Sequence, residues 1–481
     1  MEPCPTPFNL ASYVLAKADA QPDKIALAVL QPTRSERWSY GRLASSVRGV
    51  ASGLLEAGLR PGDQLLLRLG NGVAFPLAYL GAIAAGIVPV PTSAQLTTPE
   101  LDTMLTALDP RAQVAGSGLA VPSAPLSTIT EAELLEMTSG PEAGFDLADP
   151  ERLAYIMFTS GTSGRPRAVA HAHRAIWARR MMFEGWYGLR DSDRLLHAGA
   201  LNWTFTLGTG LLDPWTIGAT ALVPADGTDI RALPLLLKRH DASLFAAAPG
   251  VLRKLLKDPG KLALQKLRHT LTAGEHLQPE LRDAWENATG RGLYDAYGMT
   301  ECSTFLSASP DGAPSLTIQP GRQVSLTEDG TIAIHAGETG LMLGYMEDGA
   351  PHLPLSDGHF LTADSATQAP GGTLTYTGRR DDVMNAGGYR VSPLEVEEAL
   401  EAMPGVEDVA VAEVPVSGTS IIAAFYTGTW VADADWTAYV SPRLARYKQP
   451  RAWIHLPTLP RSANGKLIRR ALPDLFEATH D

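Results

Sequence analysis

Residues 159 to 167 read Thr159-Ser160-Gly161-Thr162-Ser163-Gly164-Arg165-Pro166-Arg167, directly after the apolar run Tyr155-Ile156-Met157-Phe158. Glycines let the backbone pass close to an oxyanion, hydroxyls and free N–H groups donate to it, and a cation follows. Phosphate is the guest that suits this combination. The run is not a Walker A loop, which needs G-x-x-x-x-G-K-[ST]. Nor is it a serine nucleophile elbow, because Gly161-Thr162-Ser163-Gly164 is one residue short of G-x-S-x-G. An ordinary Ser/Gly turn has the same composition, so its meaning depends on what accompanies it.

Seven further segments accompany it in order. Gly274-Glu275 forms a turn after a strand-like run, and Tyr294-Asp295-Ala296-Tyr297-Gly298-Met299-Thr300-Glu301 follows. Then come Phe360-Leu361-Thr362-Ala363-Asp364 and Gly378-Arg379-Arg380-Asp381-Asp382. Gly387-Gly388-Tyr389-Arg390-Val391-Ser392-Pro393-Leu394-Glu395-Val396-Glu397, Tyr447-Lys448-Gln449-Pro450, and the stretch from Pro460-Arg461 to Gly465-Lys466 complete the set. Together they resemble the adenylate-forming superfamily of acyl- and aryl-CoA synthetases, nonribosomal-peptide adenylation domains and firefly luciferase, and within it the acyl-/aryl-CoA synthetase branch. The resemblance spans nearly the whole chain. It departs from the family pattern where Arg167 replaces a lysine, where Ala168 and Ala363 replace glycines, and in a shortened region around residues 337–360.

A carboxylate is a poor electrophile, so joining it to a thiol requires activation as a mixed anhydride with AMP. The carboxylate is itself the nucleophile, and no Ser-His-Asp triad is needed or found. The chemistry calls for positioning and for neutralising charge on the α-phosphate. The resemblance implies ATP, Mg²⁺ and coenzyme A as cofactors. It places Thr159, Ser160, Gly161, Thr162, Ser163, Gly164 and Arg167 on the β- and γ-phosphates. It gives the adenine pocket to Gly274, Glu275, Asp295, Ala296, Tyr297, Gly298 and Met299. It implies that Thr300 reaches the α-phosphate, Glu301 holds the metal, and Asp364, with Arg379 nearby, accepts from the ribose hydroxyls. Gly387, Gly388, Tyr389 and Arg390 border the coenzyme A path, and Lys466 is delivered to the carboxylate and α-phosphate during adenylation only. Asp381 falls at the hinge between the two lobes.

The acyl pocket, again by resemblance, draws on Asn202, Trp203, Ala273 and His276, with Phe205 and Gly208 close by. Asn202 and Trp203 suit a compact acid, medium-chain or aromatic. No aspartate stands between residues 202 and 210, where amino-acid activators keep one, so an amino acid is disfavoured. The implied activity is acid–CoA ligation, and the alternative is an adenylating enzyme that loads a carrier protein. A non-catalytic nucleotide-binding relative would have lost Glu301, Asp364 or Lys466, and all three are present. His171-x-His173 lacks further ligands at a recognised spacing and reads as solvated or helix-capping histidines. Arg443, Arg446, Lys448 and Arg451 read as a basic run, facing either a nucleic acid or a phosphate of coenzyme A.

These residues need a scaffold. The chain has 481 residues, 45% hydrophobic and 19% charged, which suits two or three domains and excludes disorder. A net charge of −12 disfavours a nucleic-acid partner. Two cysteines exclude a disulfide framework and fit a reducing cytoplasm. The N-terminal residues, with Glu2 and three prolines by Pro7, do not read as a signal peptide. Residues 73–90 are largely apolar, but Pro76, Gly81, Gly86 and Pro89 interrupt them. They read as a buried helix over 75–85 and a strand over 87–90, not a membrane span.

Strands are expected at 25–30, 64–69, 154–158, 219–223 and 243–247, and helices at 40–57, 233–239 and 249–256. That alternation predicts an α/β fold with a largely parallel sheet. Past Thr317, short strands at 331–335 and 373–377 indicate an antiparallel, barrel-like subdomain. From about residue 381 a strand or loop, a helix over 393–402, two strands and a basic tail resemble a small, mobile α+β domain. The expected division is a large adenylation domain over 1–380 and a small C-terminal domain over 381–481. A homodimer is left open.

Overall fold

The structure is a computed structural model. It describes residues 2–480 apart from 160–165, 259, 261, 275, 276, 278, 311, 313, 314, 380–383, 387, 388, 417, 418 and 461–468.

The apolar runs become the middle strands of two sheets. In the larger, six parallel strands lie side by side: Leu293–Met299, His269–Ala273, Leu244–Ala246, Arg194–His197, Thr220–Pro224 and Ile25–Leu30. Antiparallel strands Ser303–Ser307 and Thr317–Ile318 flank one edge, and Ser35–Ser39 the other. A second sheet pairs Val88–Pro91, Gln64–Arg68, Pro110–Ala115 and Ser127–Thr130, all parallel. Parallel sheets are covered on both faces, which is why their strands read as continuous apolar runs.

The uncharged stretch after Arg68 is the helix Ala74–Ala84, with all eleven residues buried. It packs against Tyr40–Glu56, whose buried Leu43, Val47, Val50 and Leu54 recur at helical spacing. The two helices approach at Gly81, where a Cβ would lie 2.5 Å from Val50 Cγ1. Gly86, at φ +74°, ends the turn that follows. No helix among the described residues is long and apolar enough to cross a membrane.

The strand before the phosphate-loop motif differs from expectation. Leu153–Thr159 returns directly as Arg167–Ala172 in an antiparallel hairpin, and Gly344–Glu347 and Ala350–His352 extend that sheet. The strand Leu153–Thr159 therefore belongs to an antiparallel sheet and not to either of the parallel ones. Beyond it, Val324–Leu326, Thr331–His335, His359–Gln368 and Leu374–Arg379 form an antiparallel sheet. The C-terminal region packs the helix Pro393–Glu401 on Val406–Val416, Thr419–Gly428 and Ala452–His455. It adds a third strand and a terminal helix, Leu472–His480, to the two strands and tail expected from sequence.

The histidines correct the sequence reading. His171 and His173 are buried, not solvated. His171 stacks on Tyr155 with centroids 4.7 Å apart. His173 Nδ1 accepts from the Leu10 N–H at 3.0 Å, at the start of the helix Leu10–Val14, so the capping half of that reading stands. His197 lies edge-on to Phe205, and His269 Nε2 donates to the Tyr187 carbonyl at 2.6 Å.

Burial pushes His171, His173 and His197 down to about 3, and His269 to about 4. All four stay neutral in the fold, whereas the unfolded chain protonates them near 6.5. Between pH 6.5 and 4 the unfolded state therefore binds more protons, and stability must fall as pH falls through that window. Each histidine contributes up to about 1.4 kcal/mol per pH unit. Urea unfolding at pH 7.5, 6, 5 and 4 should show a progressive loss with at least two protons taken up on unfolding. A profile flat from pH 7 to 5 would contradict this burial.

Candidate active site

The site is built on the C-terminal ends of His269–Ala273 and Leu293–Met299. Gly274 leaves the first strand at φ +95°, a conformation that favours glycine. The second strand shifts register between Tyr297 and Gly298 as it pairs with Ser303–Ser307. A Cβ on Gly298 would lie 2.3 Å from the Ser303 carbonyl oxygen, so only glycine fits that bulge. Tyr297 donates to Asp364 Oδ2 at 2.6 Å and Tyr376 to Asp364 Oδ1 at 2.9 Å. Asp364 is 2% exposed and borders a cavity with Gly274, Ala296, Tyr297 and Arg390. Asp295 also reaches this cavity, but its carboxylate is held by Arg282 at 2.7 Å.

Thr300 and Glu301 follow at once. Glu301 is buried, and its Oε1 accepts from the Tyr345 hydroxyl at 2.9 Å. The Arg167 guanidinium lies 3.1 Å over the Tyr345 ring, which brings the hairpin's cation beside Glu301. Arg322 holds the next residues: its Nη2 donates to the carbonyls of Cys302 at 3.0 Å and Thr304 at 3.1 Å. Its Nη1 is 3.0 Å from Glu338, and both side chains are 1% exposed. Between those carbonyls, Ser303 is held at φ +59°.

On the other side of Thr300 lie Trp203, Phe205, Ala273 and Met299. Asn71 pins the loop that carries Trp203, donating to the Gly199 carbonyl at 2.8 Å and accepting from the Leu201 N–H at 2.9 Å. Asn202 faces an adjoining cleft with Thr159, Thr300 and Tyr389.

The C-terminal domain closes that cleft. Tyr389 stacks on Tyr447 with centroids 4.0 Å apart and on Trp203 at 6.4 Å. Lys448 Nζ lies 2.6 Å from Glu395 and 3.2 Å from Glu100, which belongs to the large lobe. Glu100 also accepts from the Ala445 N–H at 3.0 Å. Burial alone would lower Lys448, but Tyr447, Glu395 and Glu100 outweigh it and hold the ammonium charged well above its ordinary range. Lys448 is thus withdrawn from the basic run, which does not form one exposed patch. Arg443 stacks on Tyr439.

The described site residues Thr159, Asn202, Trp203, Ala273, Gly274, Asp295–Thr300, Asp364, Tyr389 and Arg390 therefore line adjoining clefts, and Glu301 and Arg167 meet at Tyr345 next to Thr300. Ser160, Gly161, Thr162, Ser163, Gly164, Glu275, His276, Asp381, Gly387, Gly388 and Lys466 lie outside the described residues, as does the Arg379 side chain. Sequence reasoning missed Tyr345, Tyr376, Asn71, Arg322 with Glu338, and Glu100. None sits in a motif of its own. Among the described residues no cluster of three His, Cys, Asp or Glu could hold a metal ion. A metal drawing one carboxylate from Glu301 and its other donors from phosphate and water needs no such cluster.

Residues 14–340 match the family model of AMP-binding enzymes, and 395–466 that of the AMP-binding enzyme C-terminal domain. The chain is 28% identical to the benzoate–CoA ligase of Thauera aromatica, over 90% of each chain. It is 28% identical to the mitochondrial acyl-coenzyme A synthetase ACSM5 of Mus musculus, over 98% of this chain and 91% of that one. Among solved structures it is similar to a benzoate CoA ligase from Burkholderia xenovorans LB400, at 27% identity and TM-score 0.71, covering 97% and 100%. The o-succinylbenzoate CoA synthetase of Bacillus subtilis shares the fold at TM-score 0.83 and 22% identity, covering 96% and 98%.

The Arg322–Glu338 pair yields a test of the site's support. Glu338→Ala would leave a buried guanidinium uncompensated and should cost about 3–5 kcal/mol in urea unfolding. Arg322→Met with Glu338→Leu removes both charges and should recover most of that stability. Equal losses in the single and double variants would show that the pair's hydrogen bonds, not its charge balance, hold the turn.

Proposed function

The chain belongs to the family of AMP-binding enzymes, and from that membership we propose that it is an ATP-dependent acid–CoA ligase for aromatic or medium-chain carboxylic acids. The observation that carries the reading is the convergence on Arg390 of three surfaces, the Tyr297–Asp364–Tyr376 pocket, the Trp203 pocket and the cleft under Tyr389, the last two also lined by Thr300. Relatives named as benzoate–CoA and acyl-CoA ligases support it.

In the first half-reaction a substrate carboxylate oxygen attacks the α-phosphorus of ATP, and pyrophosphate leaves. Tyr297 borders the adenine, Asp364 accepts from the ribose, and the Thr300 hydroxyl donates to the α-phosphate. The buried Glu301 carboxylate, oriented by Tyr345, suits Mg²⁺, which when bound neutralises phosphate charge. Lys466 adds a compact positive charge where charge builds on the α-phosphate. In the second half-reaction the coenzyme A thiolate attacks the acyl carbonyl carbon, and AMP leaves with the bonding pair. The cleft between Trp203, Tyr389 and Tyr447 is the path we assign to the thiol, with Arg390 at its inner end.

Pyrophosphate and AMP release over a panel of acids, with and without coenzyme A, tests the reading. AMP formation should require both acid and coenzyme A. Release that ignores coenzyme A but responds to a phosphopantetheinylated carrier protein would replace the acceptor.

The two half-reactions should separate by mutation. Lys466→Ala should lower acyl-AMP formation by about 10²–10³ while transfer from premade acyl-adenylate stays near normal. Glu100→Gln should do the reverse, because it weakens the contact that docks Tyr389 at the cleft. Thioester formation should fall about tenfold, with adenylation little changed. A variant crippled equally in both steps would overturn the role assigned to its residue.

A further inference from the structure

Arg179 is a buried cation that the reaction as derived does not use. It follows the short helix Ala175–Ala178, and its side chain is 8% exposed. With Thr204, Thr300 and Ser303 it forms the wall common to two cavities. The outer one opens toward Trp203, Ala273 and Gly274, where the acid is assigned above. The inner one runs between Tyr79, Tyr155 and His171 and has about 30 Å³ of free volume. That is room for a substituent of one or two heavy atoms, not for an alkyl chain.

The guanidinium is held flat in this wall. A Cβ on Gly208 would lie 2.3 Å from Arg179 Cζ, so the backbone there makes room for it. Nε and Nη2 donate to the two oxygens of Asp213 at 2.7 and 2.6 Å, and Tyr187 donates to the same carboxylate at 2.7 Å. The charge is thus matched within the protein, and a second substrate carboxylate would meet a neutral pair. Buried ion pairs are seldom the most stable filling for a core, since apolar residues of similar volume often do as well or better.

Nη2 also lies 3.3 Å from the Tyr187 and Thr209 hydroxyls, which leaves Nη1. Nη1 carries two hydrogens: one goes to Ser303 Oγ, and no described residue accepts the other. Ser303 keeps φ +59°, a conformation costly for any residue but glycine, and so retains a hydroxyl at this point. The Tyr79 hydroxyl, fully buried in the inner cavity wall, has no hydrogen-bond partner among the described residues. Buried donors without acceptors are expensive, and each is satisfied if an acceptor atom enters.

We propose that Arg179, Ser303 and Tyr79 form a polar floor to the acyl pocket that selects a compact carboxylic acid bearing a neutral oxygen substituent, hydroxyl or carbonyl, remote from its carboxylate. This rests on the ligase reading, which places the acid beside Thr300. It narrows the substrate class: an unsubstituted fatty acid would leave the floor unpaired and would not fit the inner cavity.

The test uses the full chain and matched pairs of acids. These are 3- and 4-hydroxybenzoate against the corresponding methylbenzoates, and short oxo acids against their methyl-branched isosteres. Pyrophosphate release gives kcat/KM, and calorimetry without ATP gives the Kd of the acid. At least one oxygenated acid should be preferred over its isostere by about 10² in both. In Ser303→Gly, whose backbone suits that φ, and in Arg179→Met with Asp213→Leu, which removes both buried charges together, the ratio should fall below about fivefold. A preference for the methyl isosteres, or one that survives both variants, overturns the proposal. Turnover of acids with no preference leaves the ligase reading standing and the floor refuted. An Arg179-dependent binding preference without any turnover does the opposite. Neither binding nor turnover sinks both.

Discussion

The turn from Met299 to Ser303 is the point on which the rest of the architecture depends. It ends a parallel strand and begins an antiparallel one, and Arg322 holds it from behind through the Cys302 and Thr304 carbonyls. With both neighbouring carbonyls held, the residues between have little freedom in where they point. Three sets of contacts radiate from this turn. Tyr297 reaches Asp364 on one sheet, Glu301 meets Tyr345 on another, and Ser303 meets Arg179 in the large lobe. Electrostatic stabilisation of a phosphate-transfer transition state needs donors and charges that are already in place when charge develops. A turn held by a buried bidentate cation supplies that rigidity, which a free loop would not.

The C-terminal domain is held by a different balance. Lys448 and Glu100 are each 7% exposed and Glu395 is 11% exposed. Removing such groups from water opposes docking, and burial raises the Glu395 carboxyl against the pull of Lys448. One ammonium faces two carboxylates, so the cluster is not a fully matched ion pair. The apolar part of the contact is small, with Ala445 packed among Leu96, Leu101 and Met104. On the function proposed above the small domain serves two half-reactions, which calls for a joint that can open.

Much of this was legible in the sequence, and what was not has a common cause. Gly274 and Gly298 could be read because they stand in motifs shared with the adenylate-forming enzymes, and the structure adds the local reason for each, a left-handed turn in one case and a bulge in the other. The apolar helix Ala74–Ala84 was readable as buried because its glycine and prolines break a membrane-length run. The partners of the site residues were not readable. Tyr345 lies 44 residues from Glu301, Asp364 lies 67 from Tyr297, and Lys448 lies 348 from Glu100. A tyrosine in a strand looks the same whether its hydroxyl meets water or a catalytic carboxylate. The burial of His171 and His173 was hidden for the same reason, since only the assembled hairpin and the helix Leu10–Val14 make them interior groups, although the capping role of His173 was among the readings the sequence offered. The antiparallel pairing of Leu153–Thr159 was not readable because a short apolar run looks the same in a parallel and an antiparallel sheet.

The pattern of buried charge completes the physical picture. Arg322–Glu338 and Arg179–Asp213 flank the turn, each a matched pair with almost no exposure. Each pair is neutral as a unit, so neither adds a large field at the α-phosphate, where an unpaired cation would hold pyrophosphate in place and slow its release. What each contributes is directional N–H groups in a dry environment. Arg322 spends Nη2 on the backbone and so supports geometry, whereas Arg179 lines the cavities and gives Nη1 to Ser303. On the function proposed above, the transient charge of the reaction would be met by a metal ion held at Glu301 and by Lys466, neither of them a permanently fixed cation. A site that must bind a polyanion and then expel it is better served by fixed dipoles and mobile charges than by fixed charges.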